Sequence, residues 1–85
     1  MSFLRGLFGG GRPDVAALQA AGDVEGLIAA LSYQKDANVR REAAVALGEL
    51  GDQRARKPLS IALEDDDNEV RSAAAAAIGK LVSQA

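Results

Sequence analysis

The chain has no cysteine, no histidine and no tryptophan, and its 85 residues include only one tyrosine, two phenylalanines and two prolines. Each absence closes a class of function. Without cysteine there is neither a disulfide framework nor a thiolate metal site. Without histidine the commonest general base, the usual zinc ligand and the physiological-pH switch are all missing. Chemistry would have to rest on carboxylates, lysine, serine or Tyr33. No phosphate-binding loop and no nucleophile placed beside a base is legible. The sequence therefore predicts a non-enzymatic protein that needs no cofactor and no metal. No run approaches the roughly 18 apolar residues of a membrane-spanning helix, and the opening MSFLRGLFGG is too short and glycine-rich for a signal peptide. A cytoplasmic protein is the expectation.

Positive charge is also scarce where it would matter. The net charge is −2, but two of the ten basic residues, Arg5 and Arg12, stand in the first 13, leaving eight against twelve acidic groups over residues 14–85. That acid excess argues against nucleic acid as a partner, because phosphate neutralisation supplies most of such affinity.

What is present is said twice. Residues 39–52 read VRREAAVALGELGD and residues 70–83 read VRSAAAAAIGKLVS, with Val, Arg, three Ala and Gly repeated 31 positions apart. A fixed period of 20–50 residues marks a repeat architecture. Each long segment follows a shorter one, and L27-x-x-A-L31 matches L59-x-x-A-L63. Aspartates before apolar-periodic runs predict five capped helices. These are Asp14 to about Ala21, Val24 to Tyr33, Ala37 to Leu50, Gln53 to Glu64, and Asn68 to about Ser83. Their inward faces are expected to carry Val15, Leu18 and Ala21; Val24, Leu27, Ile28 and Leu31; Val39, Ala43, Ala46, Leu47 and Leu50; Ala55, Leu59, Ala62 and Leu63; and Val70, Ala74, Ala77, Ile78 and Leu81. Pro58 predicts a kink in the fourth helix. Gly48 and Gly79, each costing about 0.5–1 kcal/mol within a helix, predict close backbone contact at both places. Tandem helix pairs bury their apolar stripes on one another. The expected architecture is an all-α, right-handed solenoid: a tail at 1–13, then one repeat domain over 14–85, with a capping helix at 14–22, a first repeat at 23–51 and a second at 52–85.

DANVRREAAVALGELGDQRARKPLSIALEDDDNEVRSAAAAAIGKL, with its acidic turn, Val-Arg, Ala-Ala, Ala-Leu-Gly, Gly-Asp and Pro-Leu, resembles HEAT-like helical repeats of the phycobilisome-lyase type. The resemblance covers about residues 14–85. It implies a structural ladder in which a turn aspartate, here Asp65, pairs with the Val-Arg arginines Arg40 and Arg71; the corresponding place in the first repeat is Gln34, which leaves that ladder incomplete. It also implies either an adaptor or an accessory subunit of a lyase or other enzyme.

The remaining features are weighed on the residues themselves. EDDDNE at 64–69 concentrates acids but lacks the glycine and spaced alternation of a calcium loop, so capping and the ladder account for it. Arg41 beside Arg40 is a candidate for an interface. Ile78, Leu81 and Val82 lie on the last helix with no further repeat to cover them, which predicts either a partner protein or self-association there. Phe3, Leu4, Leu7 and Phe8 give the tail an apolar side, but Gly6, Gly9 and Gly10 weaken a helix there, so a flexible tail is the first expectation, packing on this chain or on another copy the second, and contact with a membrane the last. The expectation is a scaffold or adaptor that binds another protein.

Overall fold

The computed structural model describes residues 12–84, so Phe3, Leu4, Leu7 and Phe8 lie outside the described residues. Five α-helices run in order: α1 Val15–Ala20, α2 Val24–Ala30, α3 Ala37–Leu50, α4 Arg56–Ala62 and α5 Asn68–Gln84, with a 3-10 turn Gln53–Ala55 leading into α4. No strand occurs among the described residues.

Aspartate starts each unit. The side chain of Asp14 accepts from Ala17 N at 3.0 Å, that of Asp23 from Gly26 N at 2.9 Å, that of Asp36 from Asn38 N at 2.9 Å, and that of Asp52 from Arg54 N at 2.9 Å. Asp67 accepts from both Glu69 N and Val70 N, at 2.8 and 3.1 Å. Each bond satisfies backbone donors that a helix start leaves unpaired. The stop of α3 is a glycine in the left-handed region, Gly51 at φ 72°, where a β-carbon would be strained. Arg12 and Pro13 join the folded body: Pro13 is buried, and the Arg12 guanidinium stands 3.5 Å from the Asp36 carboxylate.

Pro58 does not kink its helix. The chain enters this region as a 3-10 turn, and α4 begins at Arg56, which puts Pro58 in the first helical turn. The N–H that proline lacks has no intrahelical acceptor there, so nothing is lost.

Helices α2 and α3 form one antiparallel pair and α4 and α5 the next. The broadest seam is between α3 and α5, and α1 packs on both α2 and α3 as a cap. Leu18, Leu27, Leu47, Leu59, Leu81, Val39 and Val70 are the large side chains that this stacking encloses completely. Alanine lets the seam close. A β-carbon placed on Gly48 would stand 2.8 Å from both Cα and Cβ of Ala77, closer than carbon atoms approach, so α5 lies against the bare backbone of α3. The sequence stripe omits two small residues that this approach buries, Ala30 and Ala44, both fully enclosed. Two expected inward residues are exposed: Ala21 and, at 38%, Leu63. Leu31, the counterpart of Leu63, is only 7% exposed. The first pair is flanked by the second, and no described residue flanks the second in turn.

Candidate functional site

The seam is fastened by one arginine. Arg40 lies one step into α3 from the buried Val39, and its side chain is 7% exposed. Its Nε donates to Asp65 Oδ2 at 2.8 Å and its Nη2 to Asp65 Oδ1 at 3.1 Å, a two-pronged contact across the repeats. Its Nη1 donates to the carbonyls of Tyr33 and Gln34 at 2.9 and 3.2 Å, tying down the turn of its own repeat. Every guanidinium nitrogen is therefore used, which a planar fork in a buried place requires. Those bonds from Arg40 hold the Asp65 carboxyl below the usual carboxylate range, helped by the Asp67 backbone N–H at 2.9 Å and opposed by burial. The Arg40 guanidinium is held above its ordinary value chiefly by the same bonds.

A pH dependence follows. The folded Asp65 binds its proton more weakly than the unfolded one. The pair therefore contributes stability above the unfolded carboxylate value of about 3.9, and loses it as pH falls through the lower folded value. Thermal unfolding of the wild type and of Asp65→Asn should differ most at neutral pH, with the gap closing below about pH 4. A gap that stays constant into acid would show that the charge of Asp65 is not what matters.

Arg71 is the second Val-Arg arginine, and the structure corrects its expected role. It does not pair with the Asp65 carboxylate. Its Nη1 donates instead to the Asp65 backbone carbonyl at 2.8 Å, while Nη2 reaches Asn68 Oδ1 at 3.4 Å. The contact is equivalent to Arg40 on the Gln34 carbonyl, and it survives the Gln34 to Asp65 change because a backbone oxygen accepts it. The difference is in the remaining prongs. Those of Arg40 meet a carboxylate from the next repeat, whereas Arg71 is exposed and has no carboxylate partner among the described residues.

The same loss of cover runs along α5. Ala44 is fully buried, and its counterpart Ala75 is exposed; Leu47 is fully buried, and Ile78 is only half-buried. Gly48 holds Ala77 against it, while a β-carbon on Gly79 would meet nothing within 4 Å. Arg71, Ala75, Ile78, Gly79 and Val82 are spaced as one stripe of a helix, and Val82 is 53% exposed. This is the surface by which α3 receives α5, presented a second time without a cover.

Other expected site residues fall elsewhere. Leu81 is a correction: it is fully buried, because it lies one turn past the buried Ala77 on the inward face, next to the seam. Arg41 is turned across the seam, 3.7 Å from Glu69, and its Nη2 donates to Asn38 at 3.3 Å, so it serves the repeat contact. This pair links the two Val-Arg segments and is not readable from spacing alone. The acids of 64–69 diverge, with Asp65 on Arg40, Asp67 on the α5 backbone and the Asp66 side chain 95% exposed. Among the described residues no three metal-ligating side chains converge. A groove of about 580 Å³ opens between α2 and α4, lined by Ile28, Leu31, Pro58 and Ile61, with Lys57 and Glu64 giving its rim both signs of charge. Nothing in the sequence pattern pointed to it, since Ile61, 68% exposed, lies off the helix stripe. No helix among the described residues is long and apolar enough to cross a membrane.

Comparison with known proteins agrees with this geometry. The family model described as HEAT repeats matches residues 24–85, from the first residue of α2 onward. It does not single out the phycobilisome-lyase type. No curated protein matches the chain.

Proposed function

The chain belongs to the HEAT-repeat family, and from that premise we propose that it is a protein-protein interaction module that receives a partner on the uncovered outer face of α5. HEAT repeats commonly mediate such contacts. The observation that carries the reading is the copy-to-copy comparison: Ala44 and Gly48 are buried where Ala75 and Gly79 are bare. An exposed stripe of alanine, isoleucine, glycine and valine, matched to a helix, is costly to leave in water and cheap to cover. A subunit of an enzyme complex is one form that the partner takes under this reading.

A photo-crosslinking residue at position 82, expressed in the source cells, should give a discrete protein adduct. The same residue at Ala29, exposed on α2, should give none. Absence of an adduct from both positions 75 and 82, with the variants folded and abundant, would remove this reading.

A further inference from the structure

The groove between α2 and α4 lies away from the outer face of α5, and the chain itself carries a segment that matches it. We infer that this groove receives residues 3–8 of the same polypeptide, whose Phe3, Leu4, Leu7 and Phe8 cover Ile28, Pro58 and Ile61. The surface is separate from the one on α5, and neither inference depends on the other.

The groove exists because the two repeats close unequally. Helices α3 and α5 meet over glycine and alanine, with a β-carbon on Gly48 only 2.8 Å from Ala77, whereas α2 meets the second repeat chiefly through the turn Gln53–Ala55 and stands apart from α4. The space of about 580 Å³ left between α2 and α4 has the size of a site that encloses a ligand or a few side chains. Its walls are more apolar than the repeat requires. With L27-x-x-A-L31 laid on L59-x-x-A-L63, Pro58 and Ile61 stand where the first repeat has Gly26 and Ala29. Ile61 is 68% exposed, and Ile28 across the groove is half-buried. Arg54, 3.3 Å from Glu25, bridges the N-terminal ends of the two helices, and Gln34 and Glu64 line the groove at their C-terminal ends.

Position, composition and tethering select the occupant. The described chain starts beside the C-terminal end of the groove: Pro13 is buried, and the Arg12 guanidinium is 3.5 Å from Asp36, two positions from Gln34. Phe8 is four positions from Arg12 and Phe3 nine, so an extended chain reaches about 13 and about 30 Å respectively, against about 7 Å for the step from Asp36 to Gln34. Gly9, Gly10 and Gly11 between them leave the direction of approach unrestricted by side chains. Residues 3–8 hold four large apolar side chains and one cation, and no acid occurs in residues 1–11. The groove offers the complement: apolar walls and, at its near end, Glu64, which has no ion-pair partner among the described residues and is placed to take Arg5. Lys57 lines the same wall two helical turns earlier, which sets the direction of that preference. Covering Ile61 and the tail phenylalanines with one another removes both from water. A segment held on so short a tether acts at millimolar effective concentration, so it precedes a second copy or a foreign chain that must arrive from solution.

The lack of native cysteine makes the test direct, because Ser2→Cys carries a single nitroxide label on the full chain. With isoleucine and leucine methyl groups isotopically labelled in the same molecule, the nitroxide should broaden Ile28, Leu31 and Ile61 far more than Ile78 on α5. Nitroxide-bearing chains without isotope, mixed with isotope-labelled chains without nitroxide, should broaden none of them. Deleting residues 2–8 should lower the thermal midpoint by about 4–8 °C. Ile61→Ser, a change at an exposed site, should lower the midpoint of the full chain and leave that of the shortened chain unmoved, the non-additivity of a direct contact. Broadening confined to the mixed sample would make a second copy the occupant and overturn the inference. Broadening that does not distinguish Ile61 from Ile78, or an Ile61→Ser loss that is the same with and without the tail, would overturn it as well.

Discussion

Asp65→Ala is expected to cost about 3–5 kcal/mol of unfolding free energy, because it leaves the Arg40 guanidinium enclosed and without its counter-charge. Arg40 has a side-chain exposure of 7% and, once Asp65 is gone, keeps the carbonyls of Tyr33 and Gln34 and a long contact to the exposed Asp66. Those dipoles do not neutralise a full charge. Asp66, whose Oδ1 is 3.4 Å from Arg40 Nη2, has a side chain 95% exposed and gives little relief; Asp66→Ala should stay within about 1 kcal/mol of the wild type. The loss at Asp65 is large for a chain of this size, since about 0.05–0.15 kcal/mol per residue sets the total at roughly 4–13 kcal/mol. Urea unfolding of the single variants and of the apolar pair Arg40→Met with Asp65→Leu separates two accounts. If burial of an unpaired charge is the cost, the pair is less destabilised than Asp65→Ala alone. A single variant within about 1 kcal/mol of wild type would mean that water reaches Arg40 and that the seam is looser than its geometry.

Much of this was legible before the fold. Aspartate caps, the 31-residue period and the leucine stripes are local signals, and α1, α2, α3 and α5 begin where those aspartates place them. Arg40 with Asp65 was legible through family resemblance, and the structure adds what the resemblance does not contain: the two turn carbonyls that complete the arginine. Apart from Ala21, the residues more exposed than their pattern implies lie in the second repeat. Leu63, Ile78 and Gly79 have the sequence of covered residues and the exposure of uncovered ones. Sequence identity between repeats carries the shape of a residue's own repeat, but cover comes from the neighbour, and the neighbour is not encoded in the residue. Leu81 departs in the opposite sense: its place on the last helix predicts an open end, yet its position one turn past Ala77 turns it inward. The effect of Pro58 depends on where the regular helix starts, a boundary that the preceding 3-10 turn sets at Arg56.

That dependence of identical residues on their neighbours gives the second large effect. Gly48→Leu is expected to cost about 3 kcal/mol, whereas Gly79→Leu should be neutral or stabilise by up to about 1 kcal/mol. The first glycine has the Ala77 main chain where a β-carbon would go, at 2.8 Å, so even the first added atom forces α3 and α5 apart along the broadest seam in the molecule. Relief by rotation is closed, because the obstacle is a backbone atom and not the end of a flexible side chain. Separation there also pulls Asp65 from Arg40, which couples the two losses: Gly48→Leu combined with Asp65→Ala should cost less than the sum of the two. The second glycine has no neighbour within 4 Å, so leucine there gains helix propensity with nothing to displace. Chemical unfolding of the two variants side by side, with equal denaturant slopes, measures the contrast directly. Equal losses at the two positions would mean that glycine is needed by each long helix for its own sake. A loss confined to position 48 means that it is needed only where a helix is received, and that position 79 keeps a glycine the isolated fold does not require.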